Sequence, residues 1–253
     1  MSEMLTPTSF AGLSIEKPTK EQPKKLNMLI YGEAGVGKTW LAGSASEVPS
    51  MRNVLYVDAE AGKATLREWP NVEIVPARKW DDYIRIYNAL KAGGHNYNTV
   101  VLDSLSEILE QCKDQVMVEL KADPENESRD EDIPSIREWG KLQVRMLRLI
   151  RLFRDLNMNV IFIAHADKVQ LKSGKMKWMP MLNGKMQMKV PQIPDIVLYM
   201  YNQEVDGVQR RLILTSQTDN AVAKVRGATM PMIIGAEESV TMKSLLAYYT
   251  NGN

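Results

Sequence analysis

The sequence predicts an α/β protein built on a mainly parallel, doubly wound sheet with helices on both faces. Three observations carry this expectation. Short apolar runs recur along most of the chain and alternate with segments of helical spacing. A glycine-rich turn, Gly32-Glu33-Ala34-Gly35-Val36-Gly37-Lys38-Thr39, stands between the first such run and the first helix. Late in the chain, two further runs flank Asp206-Gly207, a hairpin signal that adds antiparallel strands at one edge.

Residues 1–25 carry Pro7, Pro18 and Pro23 among many polar residues. They read as an N-terminal arm, flexible or docked on a neighbouring subunit. A short strand is expected at Leu13-Ser14-Ile15, and Phe10 is the large apolar anchor. The core is assigned to residues 26–253. Leu26 to Tyr31 is a buried strand, and Trp40 to Ala45 opens a helix. Asn53 to Val57 is a second strand, ending in Asp58-Ala59-Glu60-Ala61-Gly62, and Val72 to Val75 a third. Trp80, Tyr83, Ile84, Tyr87 and Leu90 space out a helix over 80–92, stopped by Gly93-Gly94. Thr99 to Ser104 is an apolar strand ending in a carboxylate. A helix follows over 104–121, with Leu105, Ile108, Leu109, Cys112, Val116 and Leu120 on one face.

Residues 123–132 hold six acids and no apolar residue, which predicts a solvated loop. Trp139 to Leu156 is an amphipathic helix that buries Leu142, Met146, Leu149, Ile150 and Phe153. Asn159 to Ala164 is a strand capped by His165, and 167–194 shows no period. Ile196 to Tyr201 and Arg211 to Thr215 are the hairpin strands. Ala221 to Gly227 is a last short strand or turn, and 239–249 a terminal helix.

The chain has 253 residues and a net charge of +1, so no global field attracts nucleic acid or a membrane, and any basic surface is local. Cys112 is the single cysteine, which excludes an intramolecular disulfide and a cysteine-rich zinc site and suits a reducing, cytoplasmic setting. No apolar run approaches the ~18 residues of a membrane span. Met1-Ser2-Glu3-Met4 lacks the basic-then-apolar pattern of a signal peptide. No membrane partner is therefore expected.

The turn at Gly32–Thr39 fits G-x-x-x-x-G-K-[ST], the phosphate-binding P-loop, in the strand–loop–helix context the motif requires. Its glycines let backbone N–H groups aim inward at a polyanion, and the helix N-terminus adds a favourable dipole. Gly32, Glu33, Ala34, Gly35, Val36, Gly37, Lys38, Thr39 and Trp40 are thus the expected contacts to ATP. Lys38 reaches the β- and γ-phosphates, and the Thr39 hydroxyl serves Mg²⁺. Asp103 ends a buried strand downstream and is the second expected Mg²⁺ ligand. Hydrolysis also needs a group that positions or deprotonates water. Ser104 and Leu105 follow Asp103, so no glutamate stands there. Glu60 is the best candidate, with Glu107 and Glu33 as weaker alternatives.

Asp58-Ala59-Glu60 and Asp103-Ser104 match residue for residue motifs at the ends of two strands in the RecA family, which the chain resembles. The resemblance implies that Glu60 activates water and that His165 senses the γ-phosphate, where RecA itself has glutamine. Over roughly residues 26–230 the chain is similar to small phage-encoded RecA-core ATPases of the Sak type, which anneal single strands. The implied fold is a RecA-like (ASCE) P-loop NTPase, and the implied activity is an ATPase stimulated by DNA. The implied assembly is a homo-oligomer, ring or filament, with a phage single-strand-binding protein as a candidate partner.

Between positions 168 and 189 stand six lysines, 168, 172, 175, 177, 185 and 189, with no acid, and with Trp178 and five methionines interleaved. Lysines neutralise phosphates and an aromatic ring supports unstacked bases. Lys168, Lys172, Lys175, Lys177, Trp178, Lys185 and Lys189 are therefore the expected contacts to single-stranded DNA. The other reading is a basic surface loop whose methionines pack on the core. No arginine lies close in sequence to the P-loop, to Asp103 or to His165. By the resemblance, Lys224 and Arg226 instead reach the γ-phosphate of an adjacent subunit. Two alternatives stay open: a ring helicase or loader core, and an ATP-dependent switch that binds a protein and no DNA.

Overall fold

The computed structural model describes residues 9–14, 25–122, 134–235 and 240–251. The acidic stretch 123–132 and most of the N-terminal arm lie outside the described residues. Of the arm, β1 (Ser9–Phe10) pairs with β2 (Leu13–Ser14) as a small hairpin.

The core is one ten-stranded sheet. Its P-loop strand, β3 (Asn27–Gly32), is parallel to β7 (Asn159–Gln170) on one side and to β9 (Ile196–Val205) on the other. Beyond β7 come β6 (Thr99–Asp103), β4 (Val54–Asp58) and β5 (Val72–Pro76), all parallel. Beyond β9 the sheet turns antiparallel, through β10 (Val208–Leu214) and β12 (Ile233–Ile234), with β11 (Lys224–Val225) beside the start of β9. The architecture is therefore the P-loop NTPase α/β fold that the sequence predicts, with its antiparallel edge.

Met28, Leu29, Ile30 and Tyr31 are each 0% exposed, which is why β3 reads as an unbroken apolar run with no alternation. Alternation still decides which face each residue serves. Leu29, Tyr31, Val100, Leu102, Val160 and Phe162 pack under α2 (Trp80–Ala92), α3 (Leu105–Lys121) and α4 (Ile136–Arg154). Met28, Ile30, Tyr56, Val101, Ile161, Met200 and Ile213 pack under α1 (Lys38–Gly43) and α6 (Met242–Asn251). Capping fixes two helix starts. Ser104 accepts from Glu107 N–H at α3, and Ser135 with Glu138 forms a capping box at α4.

One expectation needs correction. His165 does not end its strand: β7 runs on to Gln170, and Ala166–Gln170 pairs antiparallel with β8 (Met176–Pro180). The extension carries Asp167, Lys168 and Gln170, all exposed, so no apolar period marks it. The stretch expected to be one loop is thus a β-hairpin followed by a single helical turn, α5 (Met186–Lys189). β9 outruns its predicted end for the same reason. Asn202, Gln203 and Glu204 are exposed and held by pairing with β10 across Asp206-Gly207, both at positive φ.

Tyr31 ties the segment between β10 and β11 to the central sheet. Its hydroxyl donates to the Val222 carbonyl at 2.6 Å and accepts from the Val222 N–H at 3.0 Å. Burial pushes the phenol well above its ordinary range. Tyr31→Phe takes the hydroxyl donor from the Val222 carbonyl and leaves the Val222 N–H only its 3.3 Å bond to the Trp178 carbonyl, which should destabilise the fold by about 1–3 kcal/mol. Urea denaturation with unchanged slope checks this; an unchanged midpoint refutes it.

Candidate active site

The carboxyl ends of β3, β4, β6 and β7 meet at one edge, the position where open α/β sheets bind ligands. Gly32 and His165 stand in the same row across β3 and β7, and Asp58 and Asp103 in the same row across β4 and β6. Ala34, Gly35, Gly37, Lys38, Thr39, Glu60, Thr65, Asp103 and His165 line a cavity of about 240 Å³ there. The sequence-predicted P-loop, both expected Mg²⁺ ligands, the candidate base and the candidate sensor thus come together. Glu33 contributes its carbonyl, Val36 is buried in the core, and Trp40 is outside the cavity lining, against Trp69 and Arg211. Glu107 sits in the first turn of α3 outside the cavity lining.

Two glycines of the loop are required by space. A Cβ at Gly32 would collide with the Met200 carbonyl on β9. Gly37 caps α1 at φ 96°, a left-handed conformation that side chains resist.

Lys38 Nζ donates to the carbonyls of Gly32 at 2.9 Å and Glu33 at 2.8 Å, which lays the side chain along the loop. Burial lowers its pKa, and the Asp103 charge opposes that shift. Asp103 Oδ2 accepts from the Thr39 hydroxyl at 2.7 Å and from the buried Tyr56 hydroxyl. Burial raises the Asp103 pKa, and these hydrogen bonds work against it. A buried carboxylate beside a hydroxyl is a hard oxygen pair. Mg²⁺ sites use one or two such protein ligands, with water and phosphate supplying the rest. The donor set therefore fits Mg²⁺ bound together with a nucleotide. No cluster of three or more His, Cys, Asp or Glu that could hold a metal ion occurs among the described residues.

Glu60 Oε1 accepts from His165 Nε2 at 2.9 Å and from the Ser104 hydroxyl. The hydrogen bond from His165 lowers the Glu60 pKa, with burial opposing it. The carboxylate is thus ionised at neutral pH, as a base must be. The His165 backbone N–H is held by Ser106 Oγ at 3.1 Å, so α3 positions both partners of the pair.

The remaining candidates lie elsewhere. Lys168 is on β7, Lys177 and Trp178 are on β8, and Lys172 and Lys175 are in the turn between them. Lys185 and Lys189 flank and end α5. Trp178 is half-buried and stacks on Tyr199 at 5.9 Å, with the Lys168 ammonium 5.7 Å from its ring centre. Met179 and Met186 join the core, as the plainer reading of the methionines expects, while Met176, Met181 and Met188 are exposed. Lys224 and Arg226 are far from their own P-loop. Lys224 pairs with Val197, which aligns with Leu29, three rows from Gly32. There Lys224 Nζ donates to the Gln192 carbonyl at 3.2 Å and Arg226 meets Asp195 at 3.4 Å.

Tyr56 and Arg211 are neighbours of the site that the sequence alone does not single out. Both share the α1 face by strand alternation with Val54 and Ile213, and the sheet register brings them to Asp103 and Gly37.

Lys38→Ala should weaken nucleotide binding by roughly 1.5–3 kcal/mol, the worth of a hydrogen bond to a charged group. Thr39→Ala should weaken it only when Mg²⁺ is present. Calorimetric titration of ATP with and without Mg²⁺ separates the two; wild-type affinity in Lys38→Ala would exclude the loop as the phosphate site.

Solved structures and a protein family both match the chain. Among solved structures, a KaiC-like protein, PH0186, from the archaeon Pyrococcus horikoshii OT3 aligns at 19% identity with a TM-score of 0.44, over 75% of this chain and 77% of that one. The flagellar accessory protein FlaH from Methanocaldococcus jannaschii aligns at 10% identity with a TM-score of 0.47, over 83% and 84%. No curated protein matches the chain. No helix among the described residues is long and apolar enough to cross a membrane. The family described as the AAA domain matches residues 24–227, and the chain belongs to this family of P-loop ATPases.

Proposed function

We propose that this protein hydrolyses ATP and couples the reaction to single-stranded DNA, in strand annealing or recombination. The observation that carries the reading is the path of β7. One strand runs from His165, bonded to the candidate base, straight into the lysine-bearing hairpin with β8.

In the proposed reaction, water donates a proton to Glu60 Oε2 as its oxygen attacks the γ-phosphorus. The bond from that phosphorus to the bridging oxygen breaks, and ADP leaves. Oε1 is occupied by His165 and Ser104, which keeps the carboxylate in place. Lys38 and the loop N–H groups hold the β- and γ-phosphates. Thr39 and Asp103 would hold Mg²⁺, which would offset phosphate charge. Strand contact at the β7–β8 hairpin shifts His165, and His165 releases or holds Glu60.

In this reading Lys168, Lys172, Lys175, Lys177, Lys185 and Lys189 meet phosphates. Trp178 packs its own hairpin instead of receiving a base, since Tyr199 and Lys168 already engage its ring. Lys224 and Arg226 act on a neighbouring protomer in a ring or filament, because three rows of sheet separate them from their own loop.

Glu60→Gln should keep ATP binding and slow hydrolysis by on the order of 10²-fold or more. Normal turnover in that variant removes Glu60 from the role. Neutralising Lys172, Lys175 and Lys177 together should weaken single-strand binding for all sequences. It should also flatten the slope of log K against log[salt] by about 0.7 for each phosphate no longer neutralised. A slope equal to wild type takes the hairpin out of the interface and favours a protein-binding switch. Lys38→Ala and Arg226→Ala should each be inactive alone, and a mixture should regain part of the ATPase activity. Full activity of Arg226→Ala alone, or a dead mixture whose subunits exchange, ends the trans-acting role.

A further inference from the structure

We infer that Arg211 and Trp40 form a shelf for the nucleobase of the bound nucleoside triphosphate, an inference that rests on the nucleotide-binding reading above. The cavity over the P-loop, about 240 Å³, is smaller than the ~300–1,000 Å³ of sites that enclose a whole small molecule. Its lining offers hydroxyls, charged groups, the His165 imidazole and loop backbone, and no Phe, Tyr, Trp or large aliphatic side chain. It fits phosphates. A base has to be received on the rim.

Trp40 directly follows Thr39, which lines the cavity. Its indole is fixed on two sides. Trp69 meets it edge-on at 5.3 Å and 61°, and its Nε1 donates to Glu68 Oε2 at 2.7 Å. The Arg211 guanidinium lies over the same ring, with Cζ 5.6 Å from the ring centre. That guanidinium also packs on Gly37: a Cβ there would overlap it. The arginine arrives from β10, whose pairing with β9 carries it to the level of the loop.

Arg211 has no carboxylate partner among the described residues, and its buried Nε has no hydrogen-bond partner. Other arginines differ: Arg145 is paired bidentately with Glu119, and Arg78 lies against Asp58. The Arg211 guanidinium is thus not committed to a carboxylate of the described residues. Its flat face is suited to a ring, since a guanidinium stacks on aromatic planes as an ammonium does not. A base placed on Arg211 continues the Trp40–Arg211 stack while its phosphates enter the loop. Every base has a π face, so the shelf selects nucleoside triphosphates over bare triphosphate and chooses weakly among bases.

The test compares ATP, GTP and inorganic tripolyphosphate, each titrated with Mg²⁺ into the full chain. Arg211→Ala should weaken ATP and GTP alike by about tenfold, the scale of removing one stacking partner. Tripolyphosphate affinity should stay at the wild-type value. Arg211→Lys should weaken ATP as much as Arg211→Ala, and it decides the question if the alanine variant does not fold. Trp40→Phe should keep most of the ATP affinity. An equal weakening of ATP and tripolyphosphate in Arg211→Ala would make Arg211 a phosphate contact and overturn the inference. So would full ATP affinity in Arg211→Lys, or wild-type protein that binds tripolyphosphate as tightly as ATP. Wild-type protein that binds none of the three overturns the nucleotide-binding reading itself.

Discussion

The hydrogen bond from Thr39 to Asp103 is the contact on which the site depends. It spans an intervening strand, because β7 lies between the P-loop strand β3 and β6. Asp103 reaches Thr39 only because alternation turns it to the α1 face, with Val101 and Tyr56. The same insertion of β7 brings His165 into the row of Gly32 and so over the loop. A sheet with β6 directly beside β3 would bring Asp103 closer and leave no strand to carry His165. The order of the strands therefore decides which groups can meet a γ-phosphate.

This geometry places two opposite charges in poor solvent contact. Lys38 is 6% exposed and Asp103 is 8% exposed. Burial lowers the pKa of one and raises that of the other, so each charged form is disfavoured where it stands. Hydrogen bonds offset this only in part: carbonyls at Lys38, hydroxyls at Asp103. A phosphate chain with its cation would add favourable charge to both, beyond what each supplies to the other. The site is thus more strained electrostatically without its ligand than with it, which is the preorganisation that binding and transition-state stabilisation draw on.

Much of this was legible in the sequence because the core strands are buried on both faces. Val100-Val101-Leu102 and Val160 to Ala164 advertise themselves as apolar runs, and the P-loop has a fixed spacing. Glu60 was legible from its place after a buried strand. What was hidden depended on pairing between distant segments. The far half of β7 is polar and exists through its ladder with β8, so it looked aperiodic. The contact of Trp178 with Tyr199, which joins β8 to β9, is likewise set by pairing between distant segments. Arg211 was assigned to a strand, and strand alternation alone puts it on the face of Ile213. Its meeting with Gly37 required the register of β10 on β9 and of β9 on β3, which no local pattern encodes.

That hidden half of β7 also bears on how chemistry and the hairpin communicate. His165 belongs to the buried parallel ladder through its pairing with Gly32, while Ala166, the next residue, pairs with Pro180 in the hairpin. No loop separates the two, so a displacement of the hairpin cannot be absorbed by a flexible joint. It must bend the strand at His165 or be resisted by the sheet. The resistance on the core side is large, since Val160 to Ala164 are buried between β3 and β6. The softest element is the half-exposed contact of His165 with Glu60. A displacement of the hairpin would therefore bear on His165, whose Nε2 is bonded to Glu60 Oε1, because the inner half of the strand is held by its ladders with β3 and β6.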